Sequence, residues 1–213
     1  MRVLKLLAKG LLAIIGTLVL LYIVFYFMAW GDYQVAKTVE HDPSISHITL
    51  DGTTMHVETF GSDSNEVVIV IHGGPGNDFR YLLDLQALAD EYFVVFYDQR
   101  GTGLSPRITA EEISLENFVH DLYNLAEHYG KGEKVNIIGH SWGGMLASAF
   151  IAKHPEKVDK LVLAEPGPLT PGMAADYNAE LPMELSWDLM VHLGKCYFKS
   201  LHVEEIDEQA RGD

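Results

Sequence analysis

Ser141 lies in the stretch Gly139-His140-Ser141-Trp142-Gly143-Gly144, directly after the apolar run KVNII and directly before MLASAFIAKHP. Gly-x-Ser-x-Gly alone is a weak signal, and its setting makes it strong. A strand that turns sharply into a helix forces the serine between them into a strained backbone conformation. Gly139 and Gly143 are then needed where a side chain would collide with the neighbouring strand and helix. Such a turn aims the Ser141 hydroxyl away from the sheet and sets the Trp142 amide at a helix N-terminus, where the helix dipole favours negative charge. The chemistry this suits is nucleophilic attack on a carbonyl, and the competing reading is a serine that merely caps the helix. A tetrahedral intermediate needs two N–H donors for its oxyanion. Trp142 supplies one, and the loop His72-Gly73-Gly74-Pro75-Gly76 is placed to supply the other. Pro75 has no N–H, so Gly74 is the choice and Gly73 the fallback. The loop lacks the lysine and spacing of a phosphate cradle.

A serine hydroxyl is a poor nucleophile without a base and an acid behind it. Asp98 and Arg100, in the run DQRGTGLS, read as scaffold, because a carboxylate and guanidinium this close pair with each other or with loop backbone. His140 adjoins the serine, but neighbours at a turn point apart, so it reads as a packed histidine under the turn. His56, His120, His128 and His154 fall on strand or helix faces, and no two are spaced as zinc ligands. Glu165, ending the run VDKLVLAE, has three readings: an orienting acid, a contact to a substrate amine, or a plain loop carboxylate. His192 and His202 are the histidines further downstream.

The elements that must hold these groups alternate. SHITLDG and TMHVETFG form a hairpin at Asp51-Gly52. VVIVIHGG, YFVVFYDQRG, KVNIIGHS and VDKLVLAEPG read as strands, the continuously apolar ones suiting a sheet buried on both faces. FRYLLDLQALADEY, SLENFVHDLYNLAEHYG (capped by Ser114) and WGGMLASAFIAKHP have helical spacing. Alternation of strand and helix predicts an α/β fold, a mostly parallel sheet with helices on both faces and right-handed crossovers. After Pro168 come scattered prolines and helical pieces without a strong strand.

A net charge of −15 argues against a nucleic-acid partner, since binding phosphates needs a basic face. The single cysteine, Cys196, cannot form an internal disulfide. Residues 10–30 carry no charged side chain. As a helix they are long enough to cross a hydrocarbon core of about 30 Å, and they are longer than the core of a typical cleaved signal. Arg2, Lys5 and Lys9 precede this span and only Lys37 closely follows it, which predicts a cytoplasmic N-terminus and an outward-facing remainder, a single-pass membrane protein. The expected organisation is a basic cytoplasmic tail at 1–9, a transmembrane anchor at 10–30 and a linker at 31–45. A catalytic core follows at 46–169 and a helical region at 170–213.

HGGPG at 72–76, DQRGTGLSP at 98–106 and GHSWGG at 139–144 resemble, in order and spacing, the proline iminopeptidase branch of the α/β-hydrolase superfamily. The resemblance covers about residues 46–169. It implies an α/β-hydrolase core in which Ser141 is the nucleophile and Gly74 and Trp142 form the oxyanion hole. It also implies release of N-terminal proline from short peptides, with a helical cap beginning at 170 whose carboxylates read the free amine. The membrane anchor departs from the usual family member. In that superfamily the acid and the histidine follow the serine, and the resemblance places both beyond residue 213, so the core is expected to be incomplete at its C-terminus and this chain inactive by itself. It further implies that the strand near 158–164 lies at a sheet edge. Acyl transfer on serine requires protein groups alone, so no cofactor and no metal are expected. Two alternatives are an esterase or lipase acting on acyl substrates, and a non-catalytic membrane-tethered binding protein.

Overall fold

A computed structural model describes residues 2–31, 37–180 and 187–201. The sheet has the order β1-β2-β4-β3-β5-β6, with β1 His47–Leu50, β2 Thr53–Phe60, β3 Val67–Ile71, β4 Phe93–Tyr97, β5 Val135–His140 and β6 Val158–Ala164. β3, β4, β5 and β6 run parallel, while β1 and β2 form the antiparallel margin. The hairpin turns at Asp51 and Gly52 with φ of 46° and 81°. Positive φ at both central residues is the tight turn whose twist matches that of the strands it joins.

Every residue of β3 is buried because both sheet faces are covered. On one face α2 (Leu115–Gly130) and α3 (Trp142–Lys153) bring Leu122, Leu125, Leu146 and Phe150 against Ile69, Ile71, Val95 and Ile137. On the other, the segment Phe79–Asp90 covers Val68, Val70, Val94 and Phe96. Side chains alternate across a strand, so the two sets interleave along β3. Ser114 caps α2 as its sequence predicts, accepting from the Asn117 amide.

The Phe79–Asp90 segment differs from expectation in type: it is a 3-10 helix and not an α-helix. Phe79, Leu82, Leu85 and Leu88 recur at every third residue, and three residues per turn put all four on the sheet. The stretch 31–45 also differs. Of its described part, Thr38 and Val39 are buried, and the Val39 amide donates to the Leu104 carbonyl, so the chain is pinned to the core at these two residues. β6 is the edge of the described sheet, with Val162 and Leu163 exposed.

The chain divides into two compact units. One runs from the residues preceding β1 through α4 (Pro171–Glu180), and the other comprises α1 (Arg2–Met28) and α5 (Trp187–Ser200). The helical region read as one cap at 170–213 is thus divided between the units. Within α1, Ala8–Met28 is long and apolar enough to cross a membrane, a property it shares with signal sequences. The helix ends before Trp30, the last residue of the expected span.

Candidate active site

Ser141 joins β5 to α3 at φ 53° and ψ −118°, a region that a residue with a Cβ enters only when its surroundings enforce it. The surroundings here do so from both sides. The Ser141 amide donates to the Ala164 carbonyl at 3.0 Å, and its carbonyl accepts from the Gly144 and Met145 amides at 3.0 and 3.2 Å. A methyl group on Gly139 would sit 2.5 Å from the Gly143 carbonyl oxygen, and one on Gly143 would overlap the Ile71 carbonyl. The two glycines are therefore required by the approach of strand to helix and of helix to strand. Ser141 itself is half-buried, and no hydrogen bond engages its hydroxyl among the described residues.

The Gly73–Gly74 loop leaves the end of β3 beside this turn. The Cβ direction of Gly73 points at Ser141 Cβ, 3.0 Å away, so a side chain there would press on the serine. The two candidate amides of this loop are not equivalent. Gly73 N–H donates to the Tyr81 hydroxyl at 2.6 Å, and that hydroxyl is also hydrogen-bonded to His140 Nδ1 at 2.8 Å. Gly74, at φ 123°, has no acceptor for its amide among the described residues. The Trp142 amide begins α3, where a helix leaves its N–H groups without intrahelical partners. Gly74 and Trp142 thus retain free donors, and Gly73 does not. His140 is fixed by Tyr81 beside the turn, and its ring makes no bond to Ser141.

DQRG ties these parts together in a way its residue types did not announce. Gln99 donates from its backbone to His72 Nε2 at 3.1 Å and from its side-chain amide to the His72 carbonyl at 2.8 Å. Its remaining oxygen accepts from the Trp142 indole at 3.0 Å. One side chain thereby links the strand end that opens the glycine loop to the residue after the serine. The only sequence signal for it was its place in the motif, and Tyr81 had none.

Asp98 and Arg100 are scaffold, but they do not pair with each other. Asp98 Oδ2 lies 2.7 Å from His56 Nδ1 and accepts the Leu104 amide, while Oδ1 accepts the Phe79 amide. Arg100 instead forms a two-pronged pair with Asp121 on α2, both contacts at 2.6 Å. Burial pushes the Asp121 carboxyl above its ordinary range, and the Arg100 fork opposes that rise.

Glu165 follows β6 with φ 46° and is exposed. The Ala164 carbonyl before it and the Gly167 amide after it, which donates to the Ser141 carbonyl at 3.3 Å, bracket Ser141. No hydrogen bond holds its carboxylate among the described residues. The side chain of His192 and all of His202 lie outside the described structure, as do any residues after 213.

His72 is fully buried, with Nδ1 donating to the Gly73 carbonyl at 2.8 Å and Nε2 accepting from Gln99. Nε2 must stay unprotonated to accept, and burial pushes the pKa below the usual histidine value. A depressed folded-state pKa means that stability is full above the unfolded value, about 6.5, and falls as pH drops from there towards the folded value. As pH falls below 6.5 the wild type should lose stability faster than His72→Asn, by up to about 1.4 kcal/mol per pH unit. Urea titrations of both proteins at several pH values measure that difference.

Residues 66–190 match the family model described as the alpha/beta hydrolase fold. Over 130 residues the chain is 35% identical to a proline iminopeptidase of Heyndrickxia coagulans, a match covering 61% of this chain and 44% of that protein. Over 117 residues it is 32% identical to epoxide hydrolase 1 of Caenorhabditis elegans, covering 54% of this chain and 29% of that one. Among solved structures, a proline iminopeptidase-related protein of Thermus thermophilus superposes with a TM-score of 0.53 at 26% identity, covering 57% of this chain and 44% of that one. The chain spans less than half the length of each of these relatives. Matched over most of the sheet and carrying the strand–serine–helix turn within that match, the chain belongs to the alpha/beta hydrolase fold family.

Proposed function

We propose that this chain is the nucleophile-bearing part of a membrane-tethered serine hydrolase that releases N-terminal proline from short peptides. The observation that carries the reading is the enforced conformation of Ser141, with the uncommitted amides of Gly74 and Trp142 nearby. In this reading Ser141 attacks the scissile carbonyl, and the two amides take the charge that develops on its oxygen. Glu165, exposed on the loop that brackets Ser141, contacts the free amine of the substrate. The acid and base that activate Ser141 are assigned to residues following 213 in a longer protein. Residues 10–30 anchor it in the membrane, with the N-terminus inside and the catalytic part outside, as the basic residues preceding the span favour.

A second reading, hydrolysis of esters or other acyl substrates, draws on the variety among relatives. Alongside the iminopeptidases stand the epoxide hydrolase and a cis-3-alkyl-4-alkyloxetan-2-one decarboxylase of Shewanella oneidensis, 30% identical over 122 residues. Fold alone does not choose among such chemistries. Turnover of a proline arylamide against a simple ester by a form extended past residue 213 separates the two.

The nucleophile assignment is tested with a fluorophosphonate probe on that extended form. Labelling is expected, and Ser141→Ala should abolish it; an unlabelled folded protein would overturn the assignment. The 213-residue chain itself is expected not to turn over the arylamide, and turnover that vanishes in Ser141→Ala would show that it carries its own base.

A further inference from the structure

A peptide group is planar, so the aim of the Gly74 N–H follows the tilt of the Gly73–Gly74 peptide and of the peptide before it. Glycines resist neither rotation, and neighbouring side chains supply the restraint. The His72–Gly73 peptide is held at both ends: Gln99 donates to its carbonyl at 2.8 Å, and its N–H donates to the Tyr81 hydroxyl at 2.6 Å. The Gly73–Gly74 peptide is held at its carbonyl by His72 Nδ1, at 2.8 Å, which leaves the Gly74 N–H uncommitted. Tyr81 also reaches the serine turn. Its hydroxyl is hydrogen-bonded to His140 Nδ1 at 2.8 Å, and its ring meets the His140 ring edge-on. A Cβ on Gly73 would lie within 3.1 Å of Ser141 Cβ, the Tyr81 hydroxyl and His140 Nδ1 at once. Loop and turn therefore converge on one point, and the Tyr81 hydroxyl bonds the one to the other. Phe79, two residues earlier, anchors this tyrosine: its ring is buried against Phe96, and its amide donates to Asp98 Oδ1.

We infer that Tyr81 is a positioning residue of the oxyanion hole. By occupying the Gly73 amide and tying it to His140, it selects Gly74 as the loop's donor and fixes that donor against Ser141. Without the hydroxyl, Gly73 N–H would stand bare beside the serine, and two adjacent amides would compete for one carbonyl oxygen. This rests on the reading of Ser141 as nucleophile and of Gly74 as an oxyanion donor.

Tyr81→Phe keeps the ring and removes the hydroxyl, and two measurements test it. In the 213-residue chain, labelled with 15N-glycine in mild detergent, the Gly73 amide should exchange with deuterium at least about tenfold faster in the variant. Unchanged exchange at Gly73 overturns the inference without touching the nucleophile reading. A similar rise at Gly130 in α2 would make Tyr81 a residue of general stability and also overturns it. In a form extended past residue 213, fluorophosphonate labelling is followed to saturation, which separates probe binding from the chemical step. The maximal labelling rate should fall at least about tenfold in Tyr81→Phe, with the half-saturating probe concentration within about twofold of wild type. An unchanged maximal rate, or a loss confined to probe binding, overturns the inference while wild-type labelling keeps the reading of Ser141. A wild type that is folded and unlabelled overturns both.

Discussion

Arg100→Ala is expected to destabilise the core unit by about 3–5 kcal/mol, because it strands a buried carboxylate. Asp121 is 2% exposed and takes both prongs of the guanidinium at 2.6 Å. Thr53 accepts from the same guanidinium at 3.3 Å but, as a neutral hydroxyl, offers no compensating charge. Removing the cation leaves Asp121 to ionise unpaired or to take up a proton. Burial already pushes its carboxyl upward, so the variant should gain stability relative to wild type as pH falls. For a chain of this size the loss corresponds to a drop in melting temperature on the order of 10 °C. The double variant Arg100→Met/Asp121→Leu removes both charges, and replacing a whole buried pair by apolar groups is often near neutral. Recovery of most of the lost stability in the double variant, followed by circular dichroism in mild detergent, confirms the pairing. Equal losses in single and double variants would mean that the cost is packing and not charge.

The same pair marks the boundary of what the sequence makes legible. Strands β3 and β4 are readable because burial on both faces demands runs such as VVIVI and FVVFY. The hairpin is readable because Asp51-Gly52 is among the few dipeptides at ease with positive φ at both positions. The serine turn is readable because the close approach of backbone to backbone admits only glycine at 139 and 143. These are local demands, stated by adjacent residues. Arg100 and Asp121 are 21 positions apart, His56 and Asp98 are 42 apart, and Gln99 and Trp142 are 43 apart. Each pairing depends on which side chains the sheet order brings together, and no residue announces its distant partner. Arg100 is therefore legible as scaffold, while the neighbour its sequence position suggests, Asp98, is not the one it meets. The Phe79–Asp90 helix fails for another reason: its leucines also fit an α-helical stripe, and only the every-third-residue register from Phe79 to Leu88 favours the tighter coil. At 37–45, Pro43 and the lack of periodicity suggest a linker, while the burial of Val39 depends on the loop carrying Leu104, which lies far along the chain.

Gly143→Ala should be more damaging at the site than its single added methyl suggests. The new Cβ would overlap the Ile71 carbonyl oxygen and lie 2.7 Å from that of His72. Both oxygens are backbone atoms at the end of the central strand β3, so neither can swing aside as a flexible side chain would. α3 must instead retreat from the sheet, withdrawing the helix end that carries the Trp142 amide. Overpacking of this kind costs about 3 kcal/mol or more where the structure cannot give. The displacement also works against the Trp142 indole, which Gln99 ties to His72. A form extended past residue 213 and bearing Gly143→Ala should therefore lose both stability and fluorophosphonate labelling. Gly132→Ala is the control, since its added methyl meets nothing within 4 Å although φ there is 94°. Its expected cost is about 1 kcal/mol of backbone strain, with labelling retained. If Gly143→Ala were labelled as fast as wild type, the close approach of α3 to β3 would not be what aims Ser141. The assignment of Trp142 to the oxyanion hole would then fall with it.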